Sequence, residues 1–224
     1  MAVVTNYPKH SGEWLKHELD PELNREQVTI LAGSGVLKTG TPLGKIATAG
    51  ATSAAKSGGN TGGGTLTLDA TPPVLADAVA GVYKVRCTSA ATDGGTFEVE
   101  NPAGVVIGSV AVGATWAEGV KFVIADSGTD FAVGDGFDVT VAAGSGKYVP
   151  VAPAAVNGAQ VAVGVLLHGV DASGGSDVQA VAVIGNARIA PLALEWPSAV
   201  DDQNKKNAVL AQLALRGFKT AYQS

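Results

Sequence analysis

Two apolar patterns alternate along the chain. The first is strict alternation: Phe97 and Val99 oppose Glu98 and Glu100; Phe137, Val139 and Val141 oppose Asp138 and Thr140; Phe122 and Ile124 flank Val123. Period-two spacing puts one set of side chains on each face of a strand, so these segments read as half-buried strands with apolar faces inward. Turns fall between them at Asp93-Gly94-Gly95, Asn101-Pro102-Ala103-Gly104, Asp126-Ser127-Gly128 and Gly134-Asp135-Gly136. About six such strands between Thr65 and Ala143 predict a small antiparallel sandwich or barrel.

The second pattern is a continuous apolar run, Val161 to Leu167, bounded by Asn157-Gly158 and Gly169, as in a strand buried on both faces. It follows the extended stretch Lys147 to Pro153, whose Pro150 and Pro153 cannot donate to a ladder, so that stretch is expected at an edge or crossing. Val28 to Leu31, Val36 to Ile46 and Val178 to Ile184 read as further strands. One helix is predicted near the carboxyl end. Asp201 and Asp202 supply its cap, Gly217 its stop, and Val209, Leu210, Leu213 and Ala214 its inner face.

Glycine marks the boundaries between these patterns. Ala47 to Gly64 is nearly all Ala, Thr, Ser and Gly and reads as a linker, and Gly144-Ser145-Gly146 is a second hinge. The organisation expected is a discontinuous domain of residues 28–57 and 147–224, interrupted by an inserted β-domain of residues 60–144. Residues 1–27 carry scattered apolar groups, Tyr7, Trp14, Leu15, Leu19 and Leu23, too few for a core. They read as an arm, either a loosely packed terminus or a segment that orders on a partner, with a short amphipathic helix around Glu13 to Leu19.

Composition supports a mainly β protein. Thirty glycines leave little room for long helices, and with 46% hydrophobic but 5% aromatic residues the core is built from Val, Ala, Leu and Ile. Charge separates the parts: residues 60–144 hold three basic and ten acidic residues, the remainder twelve basic and ten acidic. An acidic module and the lack of a basic stripe argue against nucleic acid. No apolar run approaches the roughly 20 residues that span a bilayer, and the first residues lack a signal peptide's apolar region, so neither membrane nor secretion is expected. Cys87 alternates with Tyr83 and Val85 and reads as a buried strand position.

Candidate chemistry is thin. Gly144-Ser145-Gly146-Lys147 is not a phosphate loop, because Val141 stands where the leading glycine belongs and Tyr148 follows the lysine. There is no Gly-x-Ser-x-Gly elbow, and His168 reads as a strand-end residue. His10 and His17 lack further ligands. Asp126, Asp130, Asp135 and Asp138 lack the spacing of a calcium loop and read as turn and surface carboxylates. No enzyme, cofactor or metal is expected.

The charged arm, the V-T-I strand, T-G-T-P-L-G-K-I (Thr39 to Ile46), K-Y-V-P (Lys147 to Pro150), N-G-A-Q-V-A-V-G-V-L-L (Asn157 to Leu167) and A-L-E-W-P (Ala193 to Pro197) followed by D-D-Q-N-K-K (Asp201 to Lys206) stand in this order. Together they resemble the head decoration protein family of tailed bacteriophages, which includes the lambda decoration protein, over roughly residues 20–57 and 147–224. The acidic module departs from the family, whose G-K-I and K-Y-V-P strands lie close in sequence; it looks like the small immunoglobulin-like or related β-modules of phage particles. The resemblance implies a β-clip-like domain that forms homotrimers at threefold and quasi-threefold sites of the expanded head. It further implies an arm that joins the sheet of the major capsid protein, location on the outer capsid surface after assembly in the host cytoplasm, and reinforcement against DNA pressure. Tyr148, Pro150, Leu166, Leu167, Trp196 and Pro197 are then candidates for domain core or trimer contact. The alternative is a virion-surface module whose insert recognises a host surface or glycan through Asp93 to Gly95 and Asp126 to Asp130.

Overall fold

The computed structural model describes residues 9–221, and Tyr7 lies outside them. The protein is mainly β, with several antiparallel sheets and one helix of twelve residues, Gln203–Ala214. Contacts group the described residues into two compact units. One takes the residues up to Ile46 and from Gly146 onward; the other is Ala47–Ser145.

The first unit is built on a closed barrel of five strands in the order Tyr148–Pro150, Arg25–Ile30, Val178–Val183, Ala162–Leu166, Pro42–Lys45. Neighbours are antiparallel except for the parallel bridge of Tyr148 to Ile30. Val28, Ile30, Leu43, Leu166 and Ala182 point into one cluster with Tyr148. Gly44 is required where the 157–159 loop crosses, since a Cβ there would lie 2.4 Å from the Ala159 carbonyl oxygen. The Tyr148–Pro150 segment, expected at an edge or crossing, is a strand that closes the barrel. Pro150 occupies its last position, and the next residue resumes the ladder through Val151 N–H to Pro42 O at 3.0 Å. The Val36 to Ile46 stretch, read as turning at Gly40 and Pro42, forms the strands Gly35–Leu37 and Pro42–Lys45, and Gly40 makes the turn with φ +86°.

A second cluster of the same unit packs Gln203–Ala214 and Trp14 over the barrel. Asp202 caps the helix, accepting from Lys205 N–H at 2.8 Å, and Phe218 N–H returns to Leu213 O at its end. Val209 and Leu213 are buried and Leu210 half-buried, but Ala214 is exposed. Gln212 turns inward in its place and accepts the Ala162 N–H at 2.8 Å. The helix expected around Glu13 to Leu19 is only a turn, Ser11–Trp14, followed by the strand Leu15–Glu18. The strand forms because Ala187–Ile189 offers a ladder, and Trp14 and Leu19 cannot share a buried face: Trp14 is wholly buried and Leu19 76% exposed.

The second unit is a sandwich. A five-stranded antiparallel sheet in the order Thr48–Ala55, Gly136–Ala143, Gly81–Ala91, Gly94–Glu100, Val106–Ala111 faces the three-stranded sheet Thr115–Glu118, Val120–Ala125, Thr65–Leu68. One core joins their inner faces, with Phe97 edge-on to Phe131 at 5.0 Å and Tyr83, Val85, Cys87, Val139 and Ile124 around them. The alternation read from sequence is that of the buried positions: Phe137, Val139 and Val141 point inward and Asp138 and Thr140 do not. The linker reading of Ala47 to Gly64 is corrected. Thr48–Ala55 is the edge strand of the larger sheet, paired from Phe137↔Ala55 to Ala143↔Thr48, so it belongs to the insert and not to the interrupted domain. Small residues carry no apolar period, and this strand is held by its backbone.

Candidate functional site

The arm is partly a core element. Trp14 is wholly buried, and its Nε1–H donates to Thr39 Oγ1 at 3.3 Å, while that hydroxyl donates to Leu167 O. Trp14 O accepts from Ala190 N–H at 2.7 Å. Gly40 packs against the ring, where a Cβ would lie 3.0 Å from Trp14 Cδ1. The expectation that residues 1–27 contribute little to the core therefore fails at Trp14.

Beyond Trp14 the segment turns outward. Leu15–Glu18 is an edge strand in the sheet with Ala187–Ile189 and Lys219–Thr220, hydrogen-bonded on one side only among the described residues. Asp20 accepts from Glu22 and Leu23 N–H, which with Pro21 at the first helical position fixes the turn Pro21–Asn24. Leu15 is half-buried, whereas Leu19 and Leu23 are 76% and 77% exposed. Arg25 grips Glu18 with two nitrogens, and that hydrogen bond, then the charge, raises the guanidinium's pKa against its desolvation. The result is a short edge strand and two exposed leucines on a rigidly pinned segment.

The other candidates separate into two groups. Tyr148, Leu166 and Leu167 are buried within their own unit, and burial pushes the Tyr148 phenol up. Their place is the core, not an open contact. Pro150, Trp196 and Pro197 are half-buried and line one groove of about 330 Å³ with Val36, Lys38 and Glu195. Lys206 Nζ stands 5.9 Å from the Trp196 ring. Glu195 pairs with Lys38 at 2.8 Å and Lys9 at 3.4 Å; the Lys38 hydrogen bond, against partial desolvation, holds its carboxyl below the usual range. Neither Thr39 nor Lys38 was read as a site residue from sequence, although Thr39 opens the T-G-T-P turn of the resemblance and Lys38 precedes it.

In the second unit the four carboxylates considered for calcium part company. Asp138 pairs with Arg86. Asp135 is buried, and although burial pushes its pKa up, N–H donors from Thr61 (2.8 Å), Gly62 (2.9 Å) and Ala132 (3.0 Å) outweigh this and hold it low. Asp126 and Asp130 remain together and are joined by Asp93. That grouping could not be read from spacing, because Asp93 comes from a different turn. His168 is exposed just beyond Ala162–Leu166, and Cys87 is buried, where desolvation first and Asp135 next raise its thiol. Among the described residues no helix is long and apolar enough to cross a membrane.

Residues 4–218 match the family of bacteriophage lambda head decoration protein D. No curated protein matches the chain. Two crystal forms of FlgL from Xanthomonas campestris are similar to part of it. The form in space group H3 is 22% identical over 47% of this chain and 33% of its own, with a TM-score of 0.31. The form in space group C2 is 23% identical over 48% and 33%, with a TM-score of 0.30. The match thus spans about a third of the FlgL length, and at such scores it bears on neither fold nor function. With residues 4–218 of 224 matched, edge strand and barrel included, the chain belongs to the bacteriophage lambda head decoration protein D family.

Proposed function

We propose that the protein is a cement of the phage head: it binds the major capsid protein on the outer surface of the expanded shell as homotrimers at threefold and quasi-threefold sites, and resists internal DNA pressure. The family is structural and belongs to the phage head; the trimer, the site and the mechanical role are the finer reading. The observation that supports it is the N-terminal segment, where the one-sided edge strand Leu15–Glu18 runs into exposed Leu19 and Leu23. An edge strand adds backbone hydrogen bonds to a partner's sheet without a side-chain motif, and adjacent leucines add buried apolar area. The groove at Pro150, Trp196 and Pro197 is the corresponding candidate for subunit contact.

Purified protein mixed with expanded, undecorated capsids should bind saturably, and Leu19→Asp with Leu23→Asp should weaken attachment while leaving the melting temperature unchanged. Absence of saturable binding would end the proposal. A second reading, recognition of a host surface or glycan by the insert, has one observation in its favour: the Asp93 and Asp126–Asp130 turns meet, Asp93 N–H donating to Asp130 Oδ1 at 3.0 Å. A glycan array probed with the full chain tests it, and silence reduces the insert to a display module.

A further inference from the structure

Three carboxylates converge where these two turns meet. One oxygen from each of Asp93, Asp126 and Asp130 lies within 4.8 Å of the others. Asp93 sits between the strands Gly81–Ala91 and Gly94–Glu100 with φ 50°, and Asp126 and Asp130 follow Val120–Ala125. Surface acids often gather without consequence, but Asp126 differs in kind. Both of its carboxylate oxygens expose less than 1 Å² each and have no hydrogen-bond partner among the described residues.

Carboxylate oxygens enclosed without a hydrogen-bond donor are costly, and two further carboxylates stand beside them. The unit's own cations do not relieve this. Its four basic residues are committed elsewhere: Lys84 to Glu100, Arg86 to Asp138, Lys121 to Asp69, and Lys56 to Gly59 O. Asp135 shows how the same fold satisfies a buried carboxylate within the chain, with three backbone N–H donors. Asp126 has none of these.

We propose that Asp93, Asp126 and Asp130 form a calcium site that ties the two turns of the insert together. Calcium accepts oxygen ligands at about 2.3–2.6 Å in flexible geometry, so ligands around one ion stand at most about 5 Å apart, and the three oxygens here lie within that span. The all-oxygen set disfavours zinc and copper, which prefer nitrogen and sulfur. Exposure of Asp93 and Asp130 leaves room for water to complete the shell, while the half-buried Asp126, whose two oxygens are enclosed, anchors it.

Isothermal titration calorimetry of the full chain, stripped with EDTA and titrated with CaCl2, tests this, with thermal melting run in parallel. One Ca2+ per chain is expected, with Kd about 0.1–1 mM as in extracellular modules, and a melting temperature that rises with calcium. Asp126→Asn should weaken binding at least about tenfold, and without metal it should melt higher than wild type, since it removes one of three repelling charges. Asp130→Asn, at an exposed position that does not endanger the fold, should weaken binding likewise. No saturable heat below about 10 mM Ca2+, tenfold beyond such modules, or unchanged affinity in both variants, overturns the site.

Discussion

The two units solve the same problem, burying a β core, by different means. In Ala47–Ser145 the core is rich in aromatics: Tyr83, Phe97, Trp116, Phe122, Phe131 and Phe137 pack among valines, leucine and isoleucine between two antiparallel sheets. In the other unit the clusters are mostly aliphatic, and the buried aromatics among the described residues, Trp14, Tyr148 and Phe218, lie far apart in sequence. Charge divides likewise: Ala47–Ser145 carries four basic and ten acidic residues, the rest of the chain eleven and ten. Three of the sandwich's pairings are hairpins between successive strands and are written locally, whereas a barrel whose strands come from residues 25–45 and 148–183 depends on pairings across the insertion.

The contrast breaks most sharply at single core residues. Trp14→Ala should destabilise the barrel unit by about 3–5 kcal/mol, lowering one calorimetric transition and sparing the other. Phe97→Ala should do the converse in the sandwich, by a similar amount. A single transition shifted by both would show that the units do not melt separately.

Excision sharpens it next. Ile46 N–H donates to Lys147 O and Gly146 N–H to Ile46 O, both at 3.0 Å, so the ends left by removing Ala47–Ser145 already lie side by side. Joining Ile46 to Gly146 should leave the barrel unit folded, with its far-ultraviolet circular dichroism β-rich and its melting cooperative. A join at Ser57 would instead leave Thr48–Ala55 without its sheet and should promote aggregation, read by light scattering.

Asp135→Asn should cost about 1–3 kcal/mol in the sandwich, because three N–H donors lose a charged acceptor. Since the folded pKa of Asp135 is lowered, its contribution is present above the unfolded carboxylate range and fades as pH falls through the folded value. The variant should therefore be flatter than wild type in stability against pH on the acid side. Lys84→Ala, which opens an exposed pair with Glu100, should change stability by less than about 1 kcal/mol in a denaturant titration.

Legibility in the sequence follows the same division. Gly94–Glu100, Val120–Ala125 and Gly136–Ala143 were plain because each alternates within itself, and the terminal helix because Asp202 and Gly217 mark its ends. Thr48–Ala55 was hidden: Ala, Thr and Ser give no apolar period, and only the ladder to Gly136–Ala143 makes it a strand. Trp14 looked like part of a sparse arm because its partners, Thr39, Leu167 and Ala190, lie at least 25 residues away. Asp93 and Asp126 are separated in sequence by four strands, so no motif could pair them. Family membership was legible because the quoted barrel segments keep their order across the insertion.

The most direct test of the account is co-sedimentation of the full chain and of the chain lacking Ala47–Ser145 with expanded, undecorated capsids. If capsid attachment resides in the barrel unit and its N-terminal segment, both should saturate the same number of sites with closely similar affinity. A shortened chain that is folded yet fails to sediment with capsids would contradict it.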